Sequence, residues 1–344
     1  MCIYYVHLTD INQTKVGKVL ALMIKYILKR IGLMIITAFA IMTMLFILIR
    51  LLPNNVHAVL GGNQEQLEAM REAWGYNKPI LVQYGIFLKN VFTKWDWGFC
   101  TEVGTLFQPV TQYVTSKLPA TLYVNVISIL ISIPLGVLFG IIAANFKNKW
   151  QDHVINIFIV IFISVPAFIY AFLLQYLIGF KLNLLPLVMN SGTDYFSWEM
   201  FKSALLPIMA LSVGVIAGDM RYVRAELTES MTSEYMLLAR TKGLTKRQAL
   251  FRHALRNSMV PLLPTFLADV VYVITGSLII EQIFSVPGIG RIYLLSITSR
   301  DYSVFLFISM FYVAIDLIAG LIFDLSYGFV DPRIRMGGGK NNEL

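Results

Sequence analysis

The sequence is poor in charged residues and in cysteine. Only 14% of its 344 residues are Asp, Glu, Lys or Arg, while 57% are hydrophobic, whereas about a quarter of the residues of a soluble domain are charged. This composition excludes a soluble enzyme and a disordered chain, and it indicates a protein of the lipid bilayer. The two cysteines, Cys2 and Cys100, lie on opposite sides of the membrane in the topology derived below, which excludes a disulfide scaffold.

Motifs for catalysis and metal binding are also missing. The four histidines stand singly, and the sequence contains no Cys-x-x-Cys, His-Glu-x-x-His or glycine-rich phosphate-binding loop. We therefore predict no catalytic, cofactor or metal site. The net charge of +8 does not indicate nucleic-acid binding, because basic residues of a membrane protein report its orientation.

Long uncharged tracts predict membrane-spanning helices, each of which needs about 20 apolar residues. Six tracts come close to this length, the fourth being the shortest: 31–49, 118–146, 153–180, 203–218, the tract between Arg256 and Glu281, and the tract between Asp301 and Asp324. Prolines within them are expected to kink or end helices. The predicted fold is an all-α integral membrane protein with six transmembrane helices.

Basic residues of the connecting segments predict the orientation of these spans. The tail 1–30 carries five basic residues against one acidic residue, and segment 219–258 carries eight against four. Both are expected in the cytoplasm, while segments 181–202 and 281–301, with two of each sign, fit the outside. Segment 50–117 is external but too long for this rule. Both termini are thus predicted to be cytoplasmic.

The first tract has an alternative interpretation as a cleaved signal peptide. Basic residues precede it, and Ala38-Phe39-Ala40 resembles a cleavage site. Because that triplet lies within the apolar run rather than after it, we favour an uncleaved span. Met23-Ile24-Lys25-Tyr26 reads like a natural start, so residues 1–22 are expected to be a dispensable extension.

Segment 219–258 has the pattern of two short helices joined by a glycine. Ser233 can cap a helix through Arg240, Gly243 can end it, and Thr245 with Gln248 forms a capping box that opens a second helix. The apolar face is Met236, Leu237, Leu244, Leu250 and Phe251, and the basic face is Arg240, Lys242, Lys246, Arg247, Arg252 and Arg256. This pattern fits an amphipathic helix on anionic lipid and a docking surface for a cytoplasmic partner equally well.

Several spaced motifs resemble those of ABC importer permeases of the oligopeptide, dipeptide and nickel family, in particular the first, B-type, permease of the pair. The coupling motif of that family resembles residues 234–244 (EYMLLARTKGL), followed by residues 252–257 and Pro261. Further similar stretches are 74–79 with Gln83-Tyr84, 117–122, Glu281, 284–291, 300–302 and 331–335. The resemblance covers about residues 24 to 335.

The resemblance implies an importer-type permease without enzymatic activity, in the cytoplasmic membrane of a bacterial-type cell. Its partners would be a homologous second permease, two ATPases that bind ATP and Mg, an external substrate-binding protein and membrane lipid, with no nucleic acid. The residues that would couple it to the ATPases are Glu234, Tyr235, Ala239, Arg240, Gly243, Leu244, Arg252 and His253. The chain then divides into the tail 1–30, a permease domain 31–335 with external segment 50–117 and coupling segment 219–258, and a tail 336–344.

Residues outside the coupling segment suggest a pathway and a second docking surface. Trp95 and Trp97 fit either a cap packed on the external face or a docking site for the binding protein. Glu281 with Pro287, Gly288 and Gly290 fits a re-entrant or gating turn. Asp269 and Asp316 lie at bilayer depth, where a carboxylate contacts a peptide amine, relays protons or joins helices by hydrogen bonds.

Three classes of function remain at this stage. The leading hypothesis is an ATP-driven importer of oligopeptides or dipeptides, with nickel or a metal chelate as the alternative substrate. A proton-coupled secondary transporter would use Asp269 and Asp316 as proton carriers. A membrane scaffold would bind a partner through the same cytoplasmic helices without moving a solute.

Overall fold

The computed structural model describes residues 2–52, 69, 72, 75 and 78–330, with side chains from residue 24 to residue 326 of these. The predicted C-terminal tail 336–344, the similar stretch 331–335 and residues 74, 76 and 77 of the stretch 74–79 lie outside the described residues. Within them every regular element is a helix, apart from an isolated bridge between Phe99 and Pro109. The chain forms two compact units, 1–53 and 54–344.

The first unit is a single helix, α1, Cys2–Leu51. Its part Ile24–Leu51 is long and apolar enough to cross a membrane, and it includes the predicted first span, 31–49. The hydroxyls of Thr37 and Thr43 donate to the carbonyls of Leu33 and Phe39, one turn back. The two polar side chains are therefore satisfied within their own helix and add no cost to burial in lipid.

The second unit consists of eleven α-helices among the described residues. They are α2 Ile80–Lys94, α3 Val110–Asn145, α4 Trp150–Ser164, α5 Ala167–Leu174, α6 Trp198–Met231, α7 Glu234–Thr241, α8 Lys246–Ala249, α9 Leu255–Tyr272, α10 Leu278–Ile283, α11 Ile289–Thr298 and α12 Tyr302–Val330. A π-helical turn follows α5, at Gln175–Lys181, and another joins α8 to α9, at Leu250–Ala254.

Four described helices are long and apolar enough to cross a membrane: α1, α3, α6 and α12. A fifth span results if α4 and the helix of Ala167–Lys181 count as one broken span, bent by 104°. The bend lies at Pro166, which lacks an N–H and holds Val165 in an extended conformation. The predicted tract 153–180 is therefore divided rather than straight. Helix α9 occupies the predicted fifth tract but is too polar to meet the same criterion.

Helix α6 is longer than the sequence indicates. We expected a span over 203–218 ended by Asp219, whereas the helix continues to Met231. Asp219 is buried, and its Cβ lies where a side chain on Gly136 of α3 would be. The helix can continue past Asp219 because Gly136 of the neighbouring helix leaves room for the Asp219 side chain. The segment of short helices consequently starts at Thr232.

Helices α3 and α6 pack along a stripe of small residues. Ser128, Ser132, Gly136 and Gly140 recur every four residues on α3 and are all buried. The Ser128 hydroxyl lies 3.1 Å from the Ser212 hydroxyl, and a Cβ on Gly140 would lie 2.6 Å from Cβ of Val223. Small residues at this spacing let two helix backbones approach closely in a membrane. Sequence analysis missed this stripe, although its four-residue period was visible.

Candidate functional site

Segment 232–258, here called the elbow, contains the turn that the sequence predicts. Gly243 has a φ of +90°, a conformation that costs energy for other residues. Its N–H donates to the Arg240 carbonyl over 3.0 Å, which closes the end of α7. The predicted capping box is confirmed: the Gln248 N–H donates to Thr245 Oγ1 over 3.3 Å, and the Thr245 N–H donates to Gln248 Oε1 over 3.0 Å.

The elbow packs against the C-terminal ends of α3 and α6. A buried cluster joins them and consists of Ala144, Leu227, Met236, Ala239, Ala249, Leu250 and Ala254. The Ser230 hydroxyl donates to the Ala254 carbonyl over 3.0 Å and is hydrogen-bonded to the Tyr235 hydroxyl. Because packed interiors transmit displacement, a force on the elbow reaches both long helices.

The apolar residues of the elbow fall into two groups, so the prediction of one apolar face is wrong. Met236 and Leu250 are buried in the cluster, whereas Leu237, Leu238 and Phe251 are 67%, 56% and 51% exposed. Residues 236 and 239 are three positions apart, so they lie on the same face of α7, and this face packs against the buried cluster. Exposed leucines and phenylalanine on a polar segment mark a surface that a partner or lipid covers.

The predicted coupling residues likewise fall into a buried group and an exposed group. Ala239 is 6% exposed within the cluster, so the expectation that it contacts an ATPase is wrong, and its small side chain packs within the chain. Leu244 is half-buried against the same cluster. The others are exposed: Glu234, Tyr235, Arg240, Gly243, Arg252 and His253. The accessible surface of the elbow is thus apolar and predominantly basic.

A second group of predicted residues meets around Glu281, a buried carboxylate on α10. Its Oε1 accepts a hydrogen bond from Thr121 Oγ1 of α3 over 2.9 Å, and its Oε2 accepts one from the Arg291 N–H over 3.1 Å. Thr121 Oγ1 accepts the Ile289 N–H over 2.8 Å. Two side chains from other helices therefore satisfy the free N–H groups at the start of α11, a role that a local cap residue usually performs.

The glycines of the predicted gating turn make room for this carboxylate. A Cβ on Gly288 would collide with Glu281 Oε2 and Thr121 Oγ1, and one on Gly290 would lie 3.0 Å from Oε2. The half-buried Pro287 precedes them. The sequence predicted that Glu281, Gly288 and Gly290 belong together, but it gave no signal for Thr121, which lies 160 residues away.

The external tryptophans have different environments. Trp95 is exposed at the end of α2, whereas Trp97 is only 7% exposed and packs edge-on against Phe87 and Phe307. The expectation that Trp97 could dock a binding protein is therefore wrong, and the alternative of a packed cap applies to it. Trp95 keeps an accessible ring.

The loop after Trp97 is anchored by the buried Asp301. Its Oδ2 accepts the N–H groups of Thr101, Glu102 and Val103 over 2.8, 3.0 and 3.1 Å. Cys100 is buried beside this anchor, and burial together with the Asp301 charge raises the pKa of its thiol to about 12. The thiol is consequently protonated and unreactive at neutral pH.

The two carboxylates at bilayer depth are not brought into contact. Asp316 is exposed on α12, and its Oδ1 accepts a hydrogen bond from the Tyr272 hydroxyl over 3.1 Å. Asp269 is half-buried on α9. In the described part of the chain no group of three or more His, Cys, Asp or Glu side chains could hold a metal ion.

Comparisons with known proteins cover nearly the whole chain. Residues 136–336 match the family described as "binding-protein-dependent transport system inner membrane component", and residues 23–125 match the N-terminal domain of the same class. The dipeptide transport system permease protein DppB of Lactococcus lactis subsp. cremoris is 36% identical over 91% of this chain and 100% of its own length. DppB of Bacillus subtilis is 31% identical over 91% and 99%, and the oligopeptide transport system permease protein OppB of Mycoplasma genitalium is 32% identical over 94% and 79%.

Proposed function

The chain belongs to the family of binding-protein-dependent transport system inner membrane components, and from this membership we propose that it is one permease subunit of an ATP-driven importer of short peptides. It is a multi-pass protein of the cytoplasmic membrane and not itself an enzyme. The peptide substrate is proposed from the dipeptide and oligopeptide permeases to which the chain is similar over nearly its full length.

The observation that carries the mechanism is the construction of the elbow. Its exposed side bears Leu237, Leu238 and Arg240, while its buried side is packed onto α3 and α6. A cytoplasmic ATPase that holds the exposed side can thus move the two helices as a rigid body when ATP binding brings the ATPases together.

The complete transporter in this proposal contains a homologous second permease, two ATPases and an external substrate-binding protein. ATP and Mg bind to the ATPases and not to this chain. The chain itself contributes six spans, with α9 as the fifth and α4 with α5 as a broken third, and both termini lie in the cytoplasm. The pathway lies between the two permeases, across a pseudo-twofold axis.

Uptake by the reconstituted transporter tests the proposal. Proteoliposomes that contain both permeases and the ATPases, with binding protein outside and ATP inside, are expected to accumulate labelled alanyl-alanine, and vanadate is expected to stop this uptake. Uptake that needs a proton gradient but no ATP would contradict the proposal in favour of a secondary transporter. Accumulation of labelled Ni²⁺ instead of dipeptide would contradict the peptide substrate.

Gly243→Pro tests the role of the elbow in the same vesicles. Proline cannot adopt a positive φ and lacks the N–H that closes α7, so we expect ATP hydrolysis to continue without peptide uptake. Gly243→Ala is the matched control, because an added Cβ meets no atom within 4 Å and costs about 1 kcal/mol through φ alone. Normal uptake by Gly243→Pro would contradict coupling through this turn.

A further inference from the structure

Asp316 lies in the middle of α12, a helix long and apolar enough to span a membrane, and the described residues leave its side chain exposed. It is about 21 Å along α12 from Tyr302, at about 1.5 Å per residue, in a hydrocarbon layer about 30 Å thick. Its side chain is exposed, and among the described residues it accepts one hydrogen bond, from the neutral Tyr272 hydroxyl, and pairs with no cation. Since an ionised carboxylate is costly against lipid, this face of α12 must border water or another protein.

An open cleft of about 400 Å³ lies beside this carboxylate, where α9 ends. Its lining includes Tyr272, Thr275, Gly276, Tyr312 and Asp316. The Tyr312 hydroxyl is buried and has no hydrogen-bond partner. Helix α9 ends at Tyr272, whose hydroxyl is hydrogen-bonded to Asp316, so the helix ends where it borders the cleft. Broken helices within the membrane commonly form the substrate sites of transporters.

The chemistry of the cleft selects a small organic cation. The C-terminal end of α9 carries the negative end of the helix dipole, and the Asp316 carboxylate adds acceptor oxygens beside it. Two tyrosine rings offer faces that attract cations, and the Thr275 and Tyr312 hydroxyls can accept hydrogen bonds from a donor with three N–H groups. One carboxylate is too few ligands for a divalent metal ion. A primary ammonium group can bind the carboxylate, contact the tyrosine rings and donate hydrogen bonds to the hydroxyls.

We propose that this cleft receives the N-terminal ammonium group of the peptide during its passage. The inference rests on the proposed function, since an importer of peptides presents such a group in every substrate. The amino terminus of a peptide has a pKa of about 7.7–8.0 and is largely charged at neutral pH. Asp316 is then a binding residue of the pathway, and Tyr272 positions it through the 3.1 Å hydrogen bond.

Carbodiimide coupling tests the proximity of the two groups in the purified complete transporter. The carbodiimide activates the carboxylate, the peptide amine displaces the activating group to form an amide, and the carbodiimide leaves as a urea. With alanyl-alanine as the probe, mass spectrometry is expected to find the adduct on Asp316, and with the non-peptide amine ethanolamine at the same concentration it is expected to find far less. An adduct absent from Asp316, or equal with both amines, would overturn the inference.

Transport by carboxamide variants supplies the second measurement. We expect Asp316→Asn to lower alanyl-alanine uptake at least tenfold, while Asp316→Glu keeps most of it. Glu199→Gln, the control, removes an exposed carboxylate outside the cleft and is expected to stay within twofold of the wild type. Wild-type uptake by Asp316→Asn, or an equal loss in Glu199→Gln, would overturn the inference. If the wild type imports no peptide, the proposed function is contradicted instead. The carbodiimide experiment then still tests whether the cleft receives the ammonium group.

Discussion

At the scale of single residues, the space beside Glu281 determines which side chains the external turn can hold. Gly288 has an ordinary negative φ, so its backbone would accept any residue. The constraint comes from the carboxylate of Glu281 and the hydroxyl of Thr121, which occupy the position of a Cβ. A glycine here is thus required by packing, whereas Gly243 is required by its conformation.

Gly288→Ala is therefore expected to destabilise the protein by about 2–3 kcal/mol, through overpacking and loss of the buried hydrogen bonds to α11. Gly85→Ala is the matched control, because Gly85 lies within α2 with no atom near its Cβ position, and alanine favours a helix by about 0.5–1 kcal/mol. Thermal unfolding of the purified protein in detergent measures both. An unchanged midpoint for Gly288→Ala would contradict this description of the turn.

At the scale of helices, a buried ion pair joins α4 to α6. Arg224 donates from Nε to Asp152 Oδ1 over 2.6 Å and from its terminal nitrogen to Oδ2 over 2.9 Å. Asp152 also accepts the Asn148 N–H and the Asn156 amide, each over 2.9 Å. Its carboxylate is buried and fully hydrogen-bonded, so the loss of Arg224 would leave an uncompensated charge.

Arg224→Ala is expected to lower the free energy of unfolding by about 2–3 kcal/mol. This is less than for a wholly buried ion pair, because the arginine side chain keeps some contact with solvent. Arg221→Ala, one turn away on the same helix and exposed, is expected to change stability by less than about 0.5 kcal/mol. The unfolding midpoints of the two variants in detergent test whether the ion pair between Arg224 and Asp152 stabilises the protein. Equal midpoints would show that Asp152 does not depend on Arg224.

The predictions from sequence succeeded where the determining contacts are local. The capping box of Thr245 and the turn at Gly243 depend on residues within four positions, and both are present. The extension of α6 past Asp219 was missed, and the burial of Trp97 was left as one of two alternatives, because Gly136 and Phe307 lie on other helices. Hydropathy located the apolar tracts but could not show that Pro166 bends one of them by 104°.

At the scale of the whole molecule, α3 connects the two functional groups of residues. It has 36 residues and is about 54 Å long. Its outer part holds Thr121, which is bonded to Glu281, and its inner end holds Ala144, which packs against the elbow. A displacement of the elbow can thus reach the turn at Gly288 through one helix, and this is the path by which we propose that coupling occurs.

Site-specific cross-linking at the elbow tests this account most directly. In a Cys2→Ser background the Cys100 thiol is buried and protonated, so a photoreactive maleimide labels only an introduced cysteine. The account predicts that Leu238→Cys, at an exposed position, cross-links to the ATPase subunit in the assembled transporter, while Ala239→Cys, at a buried position, does not. Cross-links from Leu238→Cys to lipid alone, or equal products from both positions, would contradict it.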